Sequence, residues 1–296
     1  MSDWYTPGWI DDPAAVDEIV STLTEPDVSY TAIGSVETLP TRVHLWDAAR
    51  KVLGNLLPPR NQGRVGSCVG FGTARAIEYT MLSEIAAGEP EMFEALAAEV
   101  IYAGARVEVG GRRIRGDGAI GAHAATFVRD WGVLAREVYG EHDLSSYSEG
   151  RARQWGDNGV PDDIEKLTRS HPVRQVTRVR NWTDAKRALA SGYAIAICSG
   201  QGFSMRRDSN GIANATGSWA HCMTLCGYDQ HGQDEIGRID NSWGPDAHTG
   251  PVGAGNPGPE GFWAFAEVID SMLARGDAWI FANVDGFVRR SLPWLI

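Results

Sequence analysis

The chain has 296 residues, 43% of them hydrophobic and 9% aromatic, and a net charge of −11. That content supports a sizeable core, and the length suits two lobes better than one. The acidic balance excludes nucleic-acid binding through a basic surface, and no run of eighteen apolar residues offers a membrane span.

Charge is unevenly spread. Residues 1–40 carry eight acidic side chains and no Lys, Arg or His. With Pro7, Pro13, Pro26 and Pro40 they read as an extended acidic arm holding one short helix near 13–22. Trp4, Tyr5, Trp9 and Tyr30 favour ordered contact, because aromatics are scarce in disordered acidic segments. Three readings of the arm stay open: a solvated tail, a short autoinhibitory plug, or a docking element for a larger assembly. Met1-Ser2-Asp3-Trp4-Tyr5 lacks the basic and apolar regions of a secretory signal, so a cytoplasmic protein is expected. Only three of the 27 basic residues are lysine, a bias that points to a GC-rich bacterial or phage genome and, in the phage case, to a virion-associated protein.

After Cys68, the spacing of Ala74, Ile77, Met81 and Ile85 predicts a helix with one buried face, ended at Gly88. A second helix is predicted over 92–105, broken by Gly110-Gly111, and a third over 122–131, stopped by Gly132. The second half changes period. Strands are predicted at 173–179, 194–198, 221–228, 236–240, 262–268 and 278–284, with a helix over 183–191. Helices followed by strands indicate an α+β protein. The expected organisation is an arm (1–40), a helical lobe (41–150) and a β-rich lobe (151–296). Residues 245–260, rich in Pro and Gly, read either as a lid or as an exposed insertion.

Three fragments carry chemistry. Asn61-Gln62-Gly63-Arg64-Val65-Gly66-Ser67-Cys68 supplies a thiol at a helix start, Ala220-His221 an imidazole, and Asp240-Asn241-Ser242-Trp243-Gly244 an amide. In that order they are the parts of a cysteine hydrolase, with Gln62 and the Cys68 backbone N–H as oxyanion donors. Each has a plainer reading: a structural cysteine, a core histidine, a turn asparagine. His44, His123, His142, His171, His231 and His248 show no partner pattern and default to surface or turn positions. Cys222 and Cys226 beside His221 could form a metal pair, but free cysteines four apart on a strand are commonly core filler, so no metal and no cofactor is expected.

The set resembles the papain family of cysteine peptidases. Its signature places Gly-Ser before the nucleophile, with His and Asn some 130–150 residues on. Here Gly66-Ser67-Cys68 is kept, and His221 and Asn241 lie 153 and 173 residues downstream. Leu45-Trp46-Asp47, Ala98-Glu99-Val100-Ile101-Tyr102, Gly116-Asp117-Gly118 and Gly261-Phe262-Trp263 extend the resemblance over roughly residues 41–285. It implies a two-lobe fold, helical N-terminal lobe against antiparallel β lobe, with the active site in the cleft. It implies a Cys68 thiolate paired with a His221 imidazolium, Asn241 orienting the ring, Trp243 shielding that bond, and a cleft wall at Gly116 and Gly118 facing Ala220. The substrate would be a protein or peptide, with nucleic acid and membrane excluded as partners.

Val65, Val69 and Ala220 depart from the pattern. The missing Cys at 65 removes a disulfide partner and fits a reducing compartment. Together these changes put the ordinary peptide specificity in doubt. Two alternatives share the residues: a peptidoglycan peptide hydrolase on a phage particle, and a non-catalytic component of an assembly such as a virion on the same fold.

Overall fold

The structure is a computed structural model, described here for residues 6–23, 39–89 and 91–284. Elements run in the order α1 (Pro13–Val20), β1 (Val43–His44), α2 (Trp46–Leu53), α3 (Cys68–Ala87), α4 (Ala98–Gly104), α5 (Gly121–Asp130), β2 (Val138–Tyr139), β3 (His142–Asp143), α6 (Glu149–Asn158) and α7 (Asp162–Thr168). The β-rich part follows with β4 (Val173–Arg178), α8 (Trp182–Ala190), β5 (Ile195–Phe203), β6 (Ala215–His231), β7 (Asp234–Asp240), β8 (Gly261–Phe265), α9 (Ala266–Leu273) and β9 (Ala278–Val284). An antiparallel sheet in the order β4-β9-β5-β6-β7-β8 carries β1 against β6. This is the expected α+β arrangement. Among the described residues no helix is long and apolar enough to cross a membrane.

The short helix in the arm begins where its sequence requires. The Asp12 carboxylate caps the Ala15 N–H at 3.1 Å, and Pro13, which lacks an N–H, starts the first turn. Trp4, Tyr5 and Tyr30 lie outside the described residues.

α3 differs from the one-faced helix its spacing predicts. It packs against α2, α4 and α5 on one side and β5, β6 and β9 on the other, so it is buried on nearly every face. Its polar side chains are therefore paired internally. Glu78 accepts from the Leu96 N–H at 2.8 Å and from Arg60, and the Tyr79 hydroxyl donates to Asp240 at 2.7 Å.

Three further boundaries moved. Residues 95–97 pair with 134–136 through Ala97 N–H to Leu134 O (2.9 Å) and Arg136 N–H to Ala95 O (2.7 Å), so α4 starts later than predicted. It continues into a π turn, Ala105–Val109, before the Gly110-Gly111 break. The strand predicted over 262–268 ends at Phe265, and the apolar residues after it belong to α9, which packs against β5, β7, β8 and α8. Helices α2, α6 and α7 are not among the elements the sequence reading predicts.

The loop 245–260 is not a free lid. The buried Arg207 guanidinium donates to four of its carbonyls or their neighbours: His248 (3.0 Å), Gly250 (2.7 Å), Pro259 (2.9 Å) and Gly261 (2.7 Å). Arg238 donates to Gly258 at 2.5 Å, and the Trp46 indole to Gly255 at 3.1 Å. Two buried cations thus organise a segment that has almost no apolar side chains to hold it.

Candidate active site

Cys68 is the first residue of α3, fully buried. The loop before it is stitched to the asparagine loop: Gln62 N–H donates to Ser242 O (2.8 Å) and Gly244 N–H to Arg60 O (2.9 Å). The segment is braced again where Tyr147 contacts the Ser67 hydroxyl (3.0 Å) and donates to Gln62 O (3.1 Å). His221 lies on β6 opposite Ser199, buried, and stacks on Trp243 with ring centroids 4.3 Å apart.

The hydrogen bonds assign the imidazole tautomer. Asn241 Oδ1 accepts from the Ser242 backbone N–H at 2.7 Å. That group can only donate, so the amide orientation is fixed, and His221 Nε2, 2.8 Å from the same oxygen, must carry the proton. His221 Nδ1 is left unprotonated, buried and without a hydrogen-bond partner. Asn241 Nδ2 in turn faces His248 Nε2 at 3.1 Å. His248, a surface or turn residue in the sequence reading, is thus a buried partner of the asparagine. Its signal was hidden because the arginine-held loop alone delivers it there.

Burial acts against the expected thiolate–imidazolium pair. Burial pushes the Cys68 thiol well up, outweighing the backbone N–H groups of Cys222, Val69 and Cys68 that favour the anion. Burial likewise pulls His221 down to about 4 against its bond to Asn241. In each group burial disfavours the charged form.

The chain's own arm runs beside these residues. Ala220 O accepts from the N–H groups of Gly8 (2.8 Å) and Trp9 (2.9 Å). From the other side Ala119 N–H donates to Gly8 O (2.8 Å) and Ile10 N–H to Ala119 O (3.0 Å). Gly8 lies so close to Gly66 that a Cβ on it would stand 2.2 Å from Gly66 O. The Gln62 side chain is fully engaged: Nε2 donates to Val65 O (2.9 Å) and to Thr6 O (3.2 Å), and Oε1 accepts from the Ser242 hydroxyl (2.7 Å). An arm carbonyl therefore occupies the expected oxyanion donor.

Gly118 faces the arm, where a Cβ would stand 3.1 Å from Gly8 O, while a Cβ on Gly116 would meet open space. The buried Arg106 guanidinium donates to the carbonyls of Gly116 (2.6 Å) and Gly118 (2.5 Å). Ala119, which nothing in the motif singled out, pairs with the arm alongside Ala220. The four cysteines are free and buried, and among the described residues no cluster of three or more His, Cys, Asp or Glu could hold a metal.

No protein-family model matches the sequence, and no curated protein matches it. Solved structures do match by fold. A cysteine protease from Xylella fastidiosa, xylellain, is 19% identical, with a TM-score of 0.63 over 94% of this chain and 96% of that one. Procathepsin B S9 from Trypanosoma congolense is 11% identical, with a TM-score of 0.61 over 96% and 88%. Digestive procathepsin L2 from Tenebrio molitor larvae is 15% identical, with a TM-score of 0.59 over 95% and 79%. The chain has the papain-like fold of cysteine proteases.

Proposed function

We propose that this chain is a papain-type cysteine endopeptidase that residues 6–10 of its own arm hold closed. The observation that carries the reading is His221 Nδ1: an unprotonated, unpartnered base on β6, the strand packed against the helix that Cys68 begins, its opposite nitrogen fixed by Asn241. In the open site, Nδ1 takes the Cys68 proton and the thiolate attacks a peptide carbonyl, forming a C–S bond. The oxyanion is met by the Cys68 N–H and by the Gln62 N–H that now holds Thr6 O. His221 returns the proton to the departing amine as the C–N bond breaks. Water, deprotonated by His221, then cleaves the thioester and frees the acid and the thiol. The plug reading of the arm is supported by its contacts with Gln62, Gly66, Ala119 and Ala220, which are those a substrate backbone would need.

The test is casein hydrolysis by the full-length Gly8→Ala protein, in which the arm cannot lie against Gly66. Turnover that disappears in Gly8→Ala/Cys68→Ala supports the reading. Absence of turnover on casein with release of peptides from purified bacterial wall would move the substrate to peptidoglycan. Absence on both would refute a peptidase.

A further inference from the structure

Trp9 is held by more than its backbone. Its indole is buried, and Nε1 donates to Asp277 Oδ2 at 2.7 Å. Asp277 is itself buried, just ahead of β9. Its other contacts are the Trp279 indole on Oδ1 (2.7 Å), the Gly121 N–H at the start of α5 on Oδ2 (3.0 Å) and the next N–H of that helix, Ala122. All four partners are N–H donors, so the group that fits is a carboxylate, which can only accept. Gly121 follows closely on Ala119, the residue that pairs with the arm, so this carboxylate lies at the end of a slot opening on the peptide-binding wall.

A structural explanation covers only part of this. The Gly121 and Ala122 N–H groups and Trp279 account for a carboxylate that ties α5 to β9. The remaining acceptor direction, on Oδ2, is filled by Trp9, which comes from the arm. When the arm leaves, that oxygen faces an empty slot. An apolar side chain entering would strip water from an anion and give nothing back, whereas an N–H donor would restore the lost bond.

Resting on the peptidase reading above, we propose that the Trp9 slot is the main specificity subsite and that Asp277 makes it select a substrate side chain ending in an N–H donor, an indole or a cationic guanidinium or ammonium. Trp9 is its built-in occupant. Discrimination of this kind exceeds what shape alone supplies, because the wrong residue leaves a buried polar group unpaired.

Two measurements on full-length protein test it. The first uses Trp9→Phe, which keeps a ring in the slot but removes the donor. Cleavage of the arm by added thermolysin reports arm release whatever the reactivity of Cys68. A rise of roughly 5–100-fold over the parent is expected from one lost bond to a buried charge. A rise under twofold overturns the proposal.

The second uses Gly8→Ala/Trp9→Ala, which frees and empties the slot. It is treated with dipeptidyl acyloxymethyl ketones carrying Trp, Arg, Leu or Phe at each position, and Cys68 modification is followed by mass spectrometry. At one position Trp or Arg should label roughly 10–100-fold faster than Leu and Phe, and Asp277→Asn should remove that preference. Trp and Arg rates separate the indole from the cation. Equal rates at both positions, or a preference that survives Asp277→Asn, would overturn the subsite. Selective labelling without hydrolysis of any amide would sink the peptidase reading alone. A Cys68 no faster than Cys198 would do the same, with the Trp9→Phe result still deciding the slot.

Discussion

Gly8→Ala should convert the closed protein into an open one. The backbone of Gly8 is not in the left-handed region, so alanine brings no conformational strain there. The effect is purely steric. The new Cβ would stand 2.2 Å from Gly66 O, 2.4 Å from Gly66 C and 2.7 Å from Gly66 Cα, all backbone atoms. Gly66 cannot retreat easily, because its N–H is tied to Asp117 (3.1 Å) and its loop is stitched to the asparagine loop. The arm must therefore rise by about 1 Å to reach an ordinary contact. That displacement stretches the two bonds to Ala220 O and the two with Ala119 beyond hydrogen-bonding range. At about 0.5–1.5 kcal/mol each, with losses that do not fully add, docking weakens by roughly 2–4 kcal/mol, or about 30–1000-fold. Stiffening of the released arm by alanine opposes this by only about 0.4–1 kcal/mol. The assay is the rate of iodoacetamide alkylation at Cys68, by peptide mass spectrometry, with the buried Cys198, Cys222 and Cys226 as internal controls. Cys68 should accelerate by that factor while the controls do not, and labelling should persist below pH 6 and be lost on adding His221→Ala. A Gly8→Ala rate within twofold of the parent would refute the arm as gate, and a parallel rise at all four cysteines would mean unfolding.

Other consequences are as concrete. In the open variant, Asn241→Ala should lower kcat roughly 10–100-fold with little change in KM, because the His221 ring loses the acceptor that fixes its tautomer; steady-state kinetics on a peptide substrate reads this. Arg207→Met should orphan four carbonyls and destabilise the fold by roughly 3 kcal/mol or more in urea, releasing the 245–260 segment to proteolysis. His248 is pulled down to about 3 by burial, then by Arg207 and Arg238, so it folds neutral while the unfolded chain takes up a proton below about pH 6.5. Its stability contribution is present above that pH and is lost as pH falls toward 3. Between pH 7 and 5 the parent should lose roughly 2 kcal/mol more than His248→Phe, measured as the difference in urea unfolding free energies. An equal loss in both proteins would mean that His248 is protonated when folded.

The strands were largely legible because β4 to β7 alternate or run apolar between turn residues, and the candidate site residues could be named because they sit in short motifs. What could not be read is whatever depends on a distant partner. The spacing in α3 named one buried face, yet burial of the opposite one rests on α4, whose own start is displaced by the 95–97 and 134–136 pairing. His248 carries no local signal, since it reaches Asn241 only through a loop that Arg207 folds from 41 residues away. The arm is the clearest case. Trp9 marked it as a segment seeking contact, but the contacts themselves, with Ala119, Ala220 and Asp277, span the whole chain.

Closure by the arm and the chemistry of the site are linked through water rather than through net charge. With residues 6–10 in place, the thiol and imidazole are both dry and each is driven to its neutral form. When the arm leaves, solvent enters and the anion-favouring N–H groups around Cys68 are no longer outweighed by desolvation. In the proposed mechanism the proton would then move from sulfur to His221 Nδ1 without entering or leaving the protein. Because that transfer is internal, the pair adds no proton uptake to the opening step while it stays neutral overall, and arm release owes no pH dependence to it near neutrality. Any pH dependence of opening must come from other groups, and Asp277 is the buried one that the arm itself touches. Burial pushes its carboxyl up against the donors that hold it, Trp9 among them. Arm release would remove the Trp9 donor that lowers this carboxyl and admit the water whose exclusion raises it, so the two changes act in opposite directions on the pH dependence of opening.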